Sequence, residues 1–146
     1  MENKEFNLQI DGEFNGFNDG AVFKLTNGQV WQQKRYKYMY RYAYRPYVRI
    51  YRDGTKWILE VKLTGCEPIE VIKVDIIQEG PIVSNFKGFF QNARFEFQNG
   101  NIWEQAEYKY NYHYAFRPHA VIINGVNGYE LSVDGMSETV RVKRTR

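Results

Sequence analysis

The side chains that usually bind metals or form disulfides are scarce in this sequence of 146 residues. Cys66 is the only cysteine, so neither an intramolecular disulfide nor a cysteine-based zinc site can form. The two histidines, His113 and His119, lie on either side of a proline at a spacing that suits metal ligands poorly. We therefore expect no metal site, and one free thiol fits a reducing compartment.

Long hydrophobic runs are also missing. The chain begins Met-Glu-Asn-Lys-Glu-Phe, without the apolar stretch of a signal peptide. No apolar run approaches the length of a membrane span. The sequence therefore predicts a soluble, cytoplasmic protein, or an exported one if a leader has been trimmed.

Catalytic signatures are absent as well. The serines lie outside any Gly-x-Ser-x-Gly context, and neither a phosphate-binding loop nor a dinucleotide fingerprint is present. The acidic residues are scattered, and several lie beside glycines, where turns are expected. These absences favour a non-catalytic protein without a cofactor, with an unrecognised enzyme as the alternative.

Aromatic side chains, in contrast, make up 17% of the residues. Large flat side chains pack well across neighbouring strands, and an aromatic-rich chain is seldom disordered. Apolar residues recur with period 2 almost everywhere, and no stretch keeps a helical period. The sequence therefore predicts an all-β fold.

The sequence also repeats itself after about 72 residues. The motif Phe-x-Leu-x-Asn-Gly-Gln-x-Trp-x-Gln at 23–33 falls on Phe-x-Phe-x-Asn-Gly-Asn-x-Trp-x-Gln at 95–105. A tyrosine-rich stretch follows in both copies and ends in Ala-Tyr-Arg-Pro or Ala-Phe-Arg-Pro. Matches in register of this kind predict an internal duplication, and what both copies keep is expected to serve the fold.

Each copy reads as a series of short antiparallel strands. The pairs Asn27-Gly28 and Asn99-Gly100 predict two-residue hairpins of type I′. The longest strand candidate covers residues 36–44 and should end near Pro46, which cannot donate a backbone hydrogen bond.

Five or more short strands in about 65 residues favour a small SH3-like barrel. We expect two such barrels in tandem, at residues 1–78 and 79–146, with Gly80-Pro81 as a short junction. Because modules of this size bury only about 60% of their surface, the two copies are expected to pack as a pseudo-twofold pair.

The two motifs resemble those of small uncharacterised bacterial proteins that consist of one SH3-like module. Both copies match, so the resemblance covers most of the chain. The resemblance implies an SH3-like fold, but it implies neither an activity nor functional residues. Many such relatives are thought to be exported, and the missing signal departs from that pattern.

Tyrosines occupy alternate positions of the stretch after the tryptophan motif. The candidate aromatic platform comprises Tyr36, Tyr38, Tyr40, Tyr42, Tyr108, Tyr110, Tyr112 and Tyr114. In an extended strand these rings share one face, where they can stack on bases or sugars. The alternative is a half-buried strand face with each hydroxyl at a polar rim. Because both copies keep the row, this structural interpretation is favoured.

Positive residues follow one another between positions 34 and 52 with no acid among them. The candidate polyanion-binding residues are Arg35, Lys37, Arg41, Arg45, Arg49 and, from the second copy, Arg117. The first four share the parity opposite to the tyrosines and would form a stripe that faces phosphates. The alternative is a solvated outer face, or an edge that charge protects against strand addition.

Two further motifs occur in both copies. Arg45 and Arg117 each precede a proline, and they are expected to bond turn carbonyls or to form an anion-binding pair. Trp31 and Trp103 are expected in the core with their N–H groups paired, a sugar-binding use being the alternative.

Several binding functions remain open on these grounds. The broadest is a non-catalytic interaction protein whose partner, a protein, binds at sheet edges or between the modules. The alternatives are nucleic-acid or polyanion binding through the basic stripe, and small-ligand or carbohydrate binding in an aromatic cleft between the modules. Polyanion binding requires Arg41 and Arg45 to be exposed and aligned, whereas sugar binding requires exposed rings with polar side chains at their rim.

Overall fold

The computed structural model describes residues 5–146, and within that range the regular secondary structure is entirely β-strand. The predicted all-β fold is confirmed. None of the described residues belongs to a helix long and apolar enough to cross a membrane. The chain divides into two compact units between Val74 and Asp75.

The first unit is an antiparallel sheet with a small second sheet. Its strands are β1 (Leu8–Gln9), β2 (Glu13–Phe14), β3 (Val22–Lys24), β4 (Val30–Gln33), β5 (Ala43–Tyr44), β6 (Tyr47–Asp53), β7 (Lys56–Val61) and the first part of β8 (Ile69–Pro81). They pair in the order β1-β6-β7-β8-β4-β3, and β2 pairs separately with β5. The predicted boundary at 78/79 and the junction Gly80-Pro81 also lie inside β8.

The second unit has its own antiparallel sheet and again a separate strand pair. The remainder of β8 is followed by β9 (Phe86–Phe89), β10 (Arg94–Glu96), β11 (Ile102–Gln105), β12 (Asn111–Ala115), β13 (His119–Gly125), β14 (Gly128–Val133) and β15 (Val140–Arg144). The order is β8-β13-β14-β15-β11-β10, with β12 paired to β9. Phe95 pairs with Trp103 as Phe23 pairs with Trp31.

No sheet of the described residues closes into a barrel, which corrects the expectation of two closed barrels. In the first unit β1 and β3 are the end strands of the sheet. Among the described residues they are joined by one isolated bridge, between Ile10 just after β1 and Leu25 just after β3. The ladder stops there because Gly12, at φ +106°, turns the chain away from the strand direction. A bridge between Ile82 and Phe97 stands at the corresponding place in the second unit.

Each unit has a separate aromatic core. In the first, Phe14, Phe17 and Phe23 meet at ring-centroid distances of 5.6 to 6.2 Å, with Trp31 beside them. In the second, the corresponding rings are Phe86, Phe89, Phe95 and Trp103. Offset and edge-to-face ring pairs contribute about 0.5–1.5 kcal/mol each beyond the burial of their area, which suits small modules with few core residues.

The Asn-Gly turns differ from the expected geometry. A type I′ turn needs positive φ at both central residues, yet Gly28 has φ +85° and Asn27 is not among the described residues with positive φ. The backbone N–H of Leu25 donates to the carbonyl of Gln29, which closes a three-residue loop. The carboxamide of Asn27 accepts from the N–H of Gln29 at 3.0 Å, so the asparagine acts through its side chain.

The tyrosine-rich stretches form less strand than predicted. Of residues 36–44 only Ala43–Tyr44 is a strand, with an isolated bridge between Met39 and Phe17, while the second unit forms strand over Asn111–Ala115. We call residues 36–44 and 108–116 the tyrosine segments. The backbone of the first segment pairs with the rest of its unit at a few points, at Met39, Ala43 and Tyr44. The second segment pairs with β9, with a register irregularity between Tyr112 and Ala115.

One of these points is a close approach between backbones at a glycine. A Cβ on Gly88 would lie 2.0 Å from the carbonyl oxygen of Asn111 and 2.6 Å from the N of His113. A Cβ on Gly16 would lie 1.9 Å from the carbonyl oxygen of Met39. Only glycine lets the tyrosine segment lie this close, because the obstructing atoms belong to the backbone and cannot rotate away.

The close approach can be tested with two alanine substitutions in the second unit. Gly88 and Gly100 share φ +93°, but a Cβ on Gly100 meets nothing within 4 Å. Both Gly88→Ala and Gly100→Ala should lose about 1–2 kcal/mol from the unfavourable φ, and Gly88→Ala should lose at least about 2 kcal/mol more from the clash. Urea unfolding followed by tryptophan fluorescence measures the difference; equal stabilities would show that the segment is not held against Gly88.

Candidate functional site

Two rows of aromatic rings stand on the surface, one in each unit. The first row is Tyr36, Tyr38, Tyr40, Tyr42 and Tyr44, and the second is Tyr108, Tyr110, Tyr112, Tyr114 and Phe116. Their exposed fractions run from 49% at Tyr42 to 83% at Tyr108. The expectation that the rows form half-buried strand faces is therefore wrong. Five rings per row face solvent, where burial cannot explain them.

The residues that alternate with the tyrosines in each segment face inward. Met39 and Ala43 pack against the first core and Ala115 against the second. These inner positions are half-buried, whereas the tyrosines beside them are exposed. The predicted alternation is thus present, but the sheet interior is already filled by phenylalanines, so the small or flexible side chains turn inward and the rings turn outward.

A buried glutamine fixes the start of each segment. Gln33 is 2% exposed, and its amide nitrogen donates to the carbonyls of Arg35 and Lys37 at 2.9 and 3.0 Å. Its side-chain oxygen accepts from the N–H of Asn18. Gln105 makes the same three bonds in the second unit, to the carbonyls of Glu107 and Lys109 and from the N–H of Phe90. In the sequence the two glutamines stand out only as the last residue of the Trp-x-Gln motif, so this role was not predicted.

The two tryptophans lie in the cores, as predicted. Trp31 and Trp103 are 2% and 3% exposed. Their indole N–H groups donate to Gln29 at 3.3 Å and to Gln78 at 3.1 Å. Neither ring is placed to contact a sugar at the surface.

The cations of the basic stripe have acceptors within the first unit. Arg35 and Lys34 both contact Glu70, at 3.0 and 3.3 Å, and Lys37 contacts Glu67 at 2.9 Å. The guanidinium of Arg41 donates to the carbonyl of Thr64.

The two remaining arginines of the stripe also face carboxylates. Arg45 lies 3.2 Å from Asp11, and Arg49 lies 3.2 Å from Glu60 while its guanidinium covers the ring of Tyr51. The requirement that Arg41 and Arg45 be exposed and aligned is not met, since both are half-buried and bonded. The local field of the stripe is largely cancelled by carboxylates that are distant in the sequence.

These ion pairs shift the acidities of their partners. A hydrogen bond and the charge of Lys37 lower the pKa of Glu67. Burial by itself would raise the pKa of Glu70, but the hydrogen bonds from Arg35 and Lys34 outweigh it and the pKa is lowered. Both carboxylates are therefore ionised at neutral pH and keep the stripe paired.

Arg117 differs from the other candidate cations. No acid of residues 5–146 lies within ion-pair distance of it, and its guanidinium stands 6.0 Å from the ring centroid of Phe116. It lines a cleft of about 320 Å³ within the second unit, beside Phe116 and Tyr114 at the end of the second row. Arg117 has φ +45° and Arg45 has φ +51°, each just before a buried proline.

The described residues form no cluster of three or more side chains suited to hold a metal. His119 lies 3.0 Å from Glu79, whereas His113 lies beside Gly135. Comparisons with protein families, with characterised proteins and with solved structures give no match to this chain. Function is therefore inferred from the geometry of the described residues.

Replacing Gln105 tests how the tyrosine segment is held. Gln105→Met should cost about 2–3 kcal/mol, because it leaves one N–H and two carbonyls without their partner. The control Gln98→Met changes an exposed side chain near the hairpin and should stay within about 0.5 kcal/mol of the wild type. Hydrogen exchange measured by mass spectrometry should be faster over residues 106–112 in Gln105→Met only. Unchanged exchange in that variant would show that other contacts hold the segment.

The thiol of Cys66 reports on the inner side of the first tyrosine segment. Burial raises its pKa, and the nearby charges of Arg41 and Lys37 lower it to a smaller extent. Because the thiolate is the reactive form, the pH midpoint of iodoacetamide labelling should lie above that of the same chain in urea. Lys37→Met should move the midpoint further up. A midpoint at or below the value in urea would contradict the burial of this thiol.

Proposed function

We propose that this protein is a non-catalytic binding protein that holds an uncharged polysaccharide on its two tyrosine rows, each presented by an open SH3-like module of a tandem duplication. The observation that carries the proposal is the outward orientation of five aromatic rings at alternate positions in each unit. Such rows cost solubility and add nothing to the cores, so a ligand is the physical reason to keep them.

The shape of each row suits a repeating ligand. Within the strand part of the second segment, Asn111–Ala115, alternate residues lie roughly 6.6–6.8 Å apart, so Tyr112 and Tyr114 follow each other at the spacing of a strand. A phenol ring offers an apolar face and a polar hydroxyl. A pyranose offers the complement, with C–H groups on its flat faces and hydroxyls around its edge. A regular polymer of sugars can therefore meet several rings of a row at once.

Charge supports a neutral ligand for the rows. The cations of the first segment are on the side opposite to the rings and pair with Glu67, Glu70 and Asp11. Single-stranded nucleic acids bind where aromatic rings are combined with an unpaired basic groove. The first unit offers rings without that groove. Polar groups at the rim, such as Glu13, which accepts a hydrogen bond from Tyr42, suit sugar hydroxyls instead.

The proposed module rests on strand order. Both units follow the same order, with a separate pair formed by β2-β5 and β9-β12. Register pairs such as Phe23–Trp31 and Phe95–Trp103 recur at the interval of the sequence repeat. The bridges at Ile10–Leu25 and Ile82–Phe97 bring the end strands together at one point, as in an incompletely closed barrel.

Affinity electrophoresis in gels containing neutral β-glucan, α-glucan or mannan tests the proposal. The wild type should be retarded by at least one polymer. A ring that covers roughly 50 Å² of a sugar face contributes about 1 kcal/mol. The row variant replaces three tyrosines of each row by serine, and it should bind about 100-fold more weakly; its positions are Tyr36, Tyr38, Tyr40, Tyr108, Tyr110 and Tyr112. The control Tyr47→Ser removes an exposed tyrosine outside the rows and should bind as the wild type does.

Two results would overturn the proposal. One is retardation by none of the polymers, or retardation that the row variant keeps. The other is binding of labelled single-stranded DNA that weakens log-linearly with salt and is lost in the row variant, because it would assign the rows to nucleic acid. Circular dichroism of each variant establishes that the fold is retained.

A further inference from the structure

The cleft at the end of the second row combines one unpaired cation with aromatic and polar walls. It lies between residues 83–86 and the end of the second tyrosine segment, and its volume of about 320 Å³ is at the lower end of the range for small-ligand sites. Arg117, Tyr114 and Phe116 form one side, and Val83, Ser84 and Asn85 form the other.

The guanidinium of Arg117 is free to bind a ligand. No carboxylate of the described residues lies within ion-pair distance of it, and its contact is the ring of Phe116. The arginine is exposed while the proline after it is buried, so the backbone of the turn is anchored and the side chain remains accessible. The carbonyl of Pro118 accepts from the N–H of Ile82 at 3.0 Å, which ties this turn to the strand opposite.

The first unit shows what chemistry this arrangement accepts. There the equivalent arginine, Arg45, lies 3.2 Å from the carboxylate of Asp11. Two residues further along, the carboxylate of Glu13 accepts from the hydroxyl of Tyr42 at 3.1 Å, and this hydrogen bond is the main cause of the raised pKa of Tyr42. The first unit thus fills the position with carboxylates of its own chain.

The second unit keeps the binding groups and lacks both carboxylates. At the repeat interval Asp11 corresponds to Val83 and Glu13 to Asn85, whereas Arg45 corresponds to Arg117 and Tyr42 to Tyr114. Registers support the correspondence, since Phe14 pairs with Ala43 and Phe86 pairs with Ala115. The surroundings of Arg45 and Arg117 therefore differ chiefly in whether the chain supplies an acid.

We infer that the cleft of the second unit binds the carboxylate of a sugar acid, which Arg117 holds as Arg45 holds Asp11. The carboxylate accepts hydrogen bonds from the guanidinium, and the sugar ring lies against Phe116 and Tyr114. Ser84 and Asn85 offer a hydroxyl and a carboxamide to the sugar hydroxyls; the hydroxyl oxygen of Ser84 already accepts from the N–H of Glu96, which leaves its proton to donate. The sugar part rests on the function proposed above, because Tyr114 and Phe116 belong to the second row.

Titration of the ¹⁵N-labelled protein with sodium glucuronate, at pH 7 and constant ionic strength, tests this inference. Shifts of the Arg117 side-chain Nε–H and of the backbone amides of residues 83–86 and 114–117 should saturate. The methyl ester of glucuronate, which keeps the ring and loses the charge, should bind at least about tenfold more weakly, since a charge-assisted hydrogen bond is lost. Acetate, which has the charge without the ring, should also bind at least about tenfold more weakly.

Variants of both units provide matched controls. Arg117→Gln should weaken glucuronate binding at least about tenfold. Val83→Asp places in the second unit the acid that the first unit has, and it should block the site by pairing with Arg117. The double variant Asp11→Val, Glu13→Asn gives the first unit the residues that the second unit has at both positions, and it should create a second site with shifts at residues 11–14 and 42–45.

Each outcome decides a separate point. If glucuronate causes no saturable shifts, or if Arg117→Gln binds it like the wild type, the carboxylate site is refuted, and the neutral-polymer experiment still judges the rows. Acetate binding as tight as glucuronate would leave a carboxylate site but refute the sugar acid. Unchanged binding in Val83→Asp would refute the equivalence with Asp11. Loss of neutral-polymer binding only in the row variants, with glucuronate binding intact, would leave both proposals standing.

Discussion

The approach of each tyrosine segment to a glycine is the contact on which the surface of this protein depends. Gly16 and Gly88 let two backbones come closer than any side chain would permit. The carbonyl of Met39 accepts from the N–H of Phe17 at this point, and the N–H of Met39 donates back. A segment without a continuous ladder would otherwise be free to rotate and to bury its rings. Because the segment is held at this glycine and by Gln33 or Gln105, its tyrosines face solvent.

Electrostatics follow from the same placement. With the tyrosines outward, Lys37 and Arg41 turn toward the loop between β7 and β8, where Lys37 contacts Glu67 and Arg41 donates to the carbonyl of Thr64. Exposed ion pairs contribute little to stability, often less than about 1 kcal/mol each. Their greater effect is to neutralise most of the positive charge of residues 34–49, which lies behind the row of exposed tyrosines.

The two units share a strand order and differ in their acids. Asp11 and Glu13 contact Arg45 and Tyr42 in the first unit, whereas Val83 and Asn85 line the cleft beside Arg117 in the second. In the inference drawn above, these two differences in sequence separate a structural ion pair from a ligand site. The two units thus both expose a tyrosine row, but Arg45 faces an acid of its own unit, whereas no acid of the described residues lies within ion-pair distance of Arg117.

The sequence by itself determined the strand class, because period-2 alternation depends only on neighbouring residues. It also placed Trp31 and Trp103 in the cores, since large apolar side chains are seldom left exposed. The side to which the tyrosines turn was decided only by the tertiary structure. Parity shows that the rings share a face, but which face is buried depends on Phe14, Phe17 and the glycine between them. The partners of Arg35, Lys37 and Arg45 were likewise unpredictable, because Glu70, Glu67 and Asp11 reach them through strand pairings 30 or more residues apart.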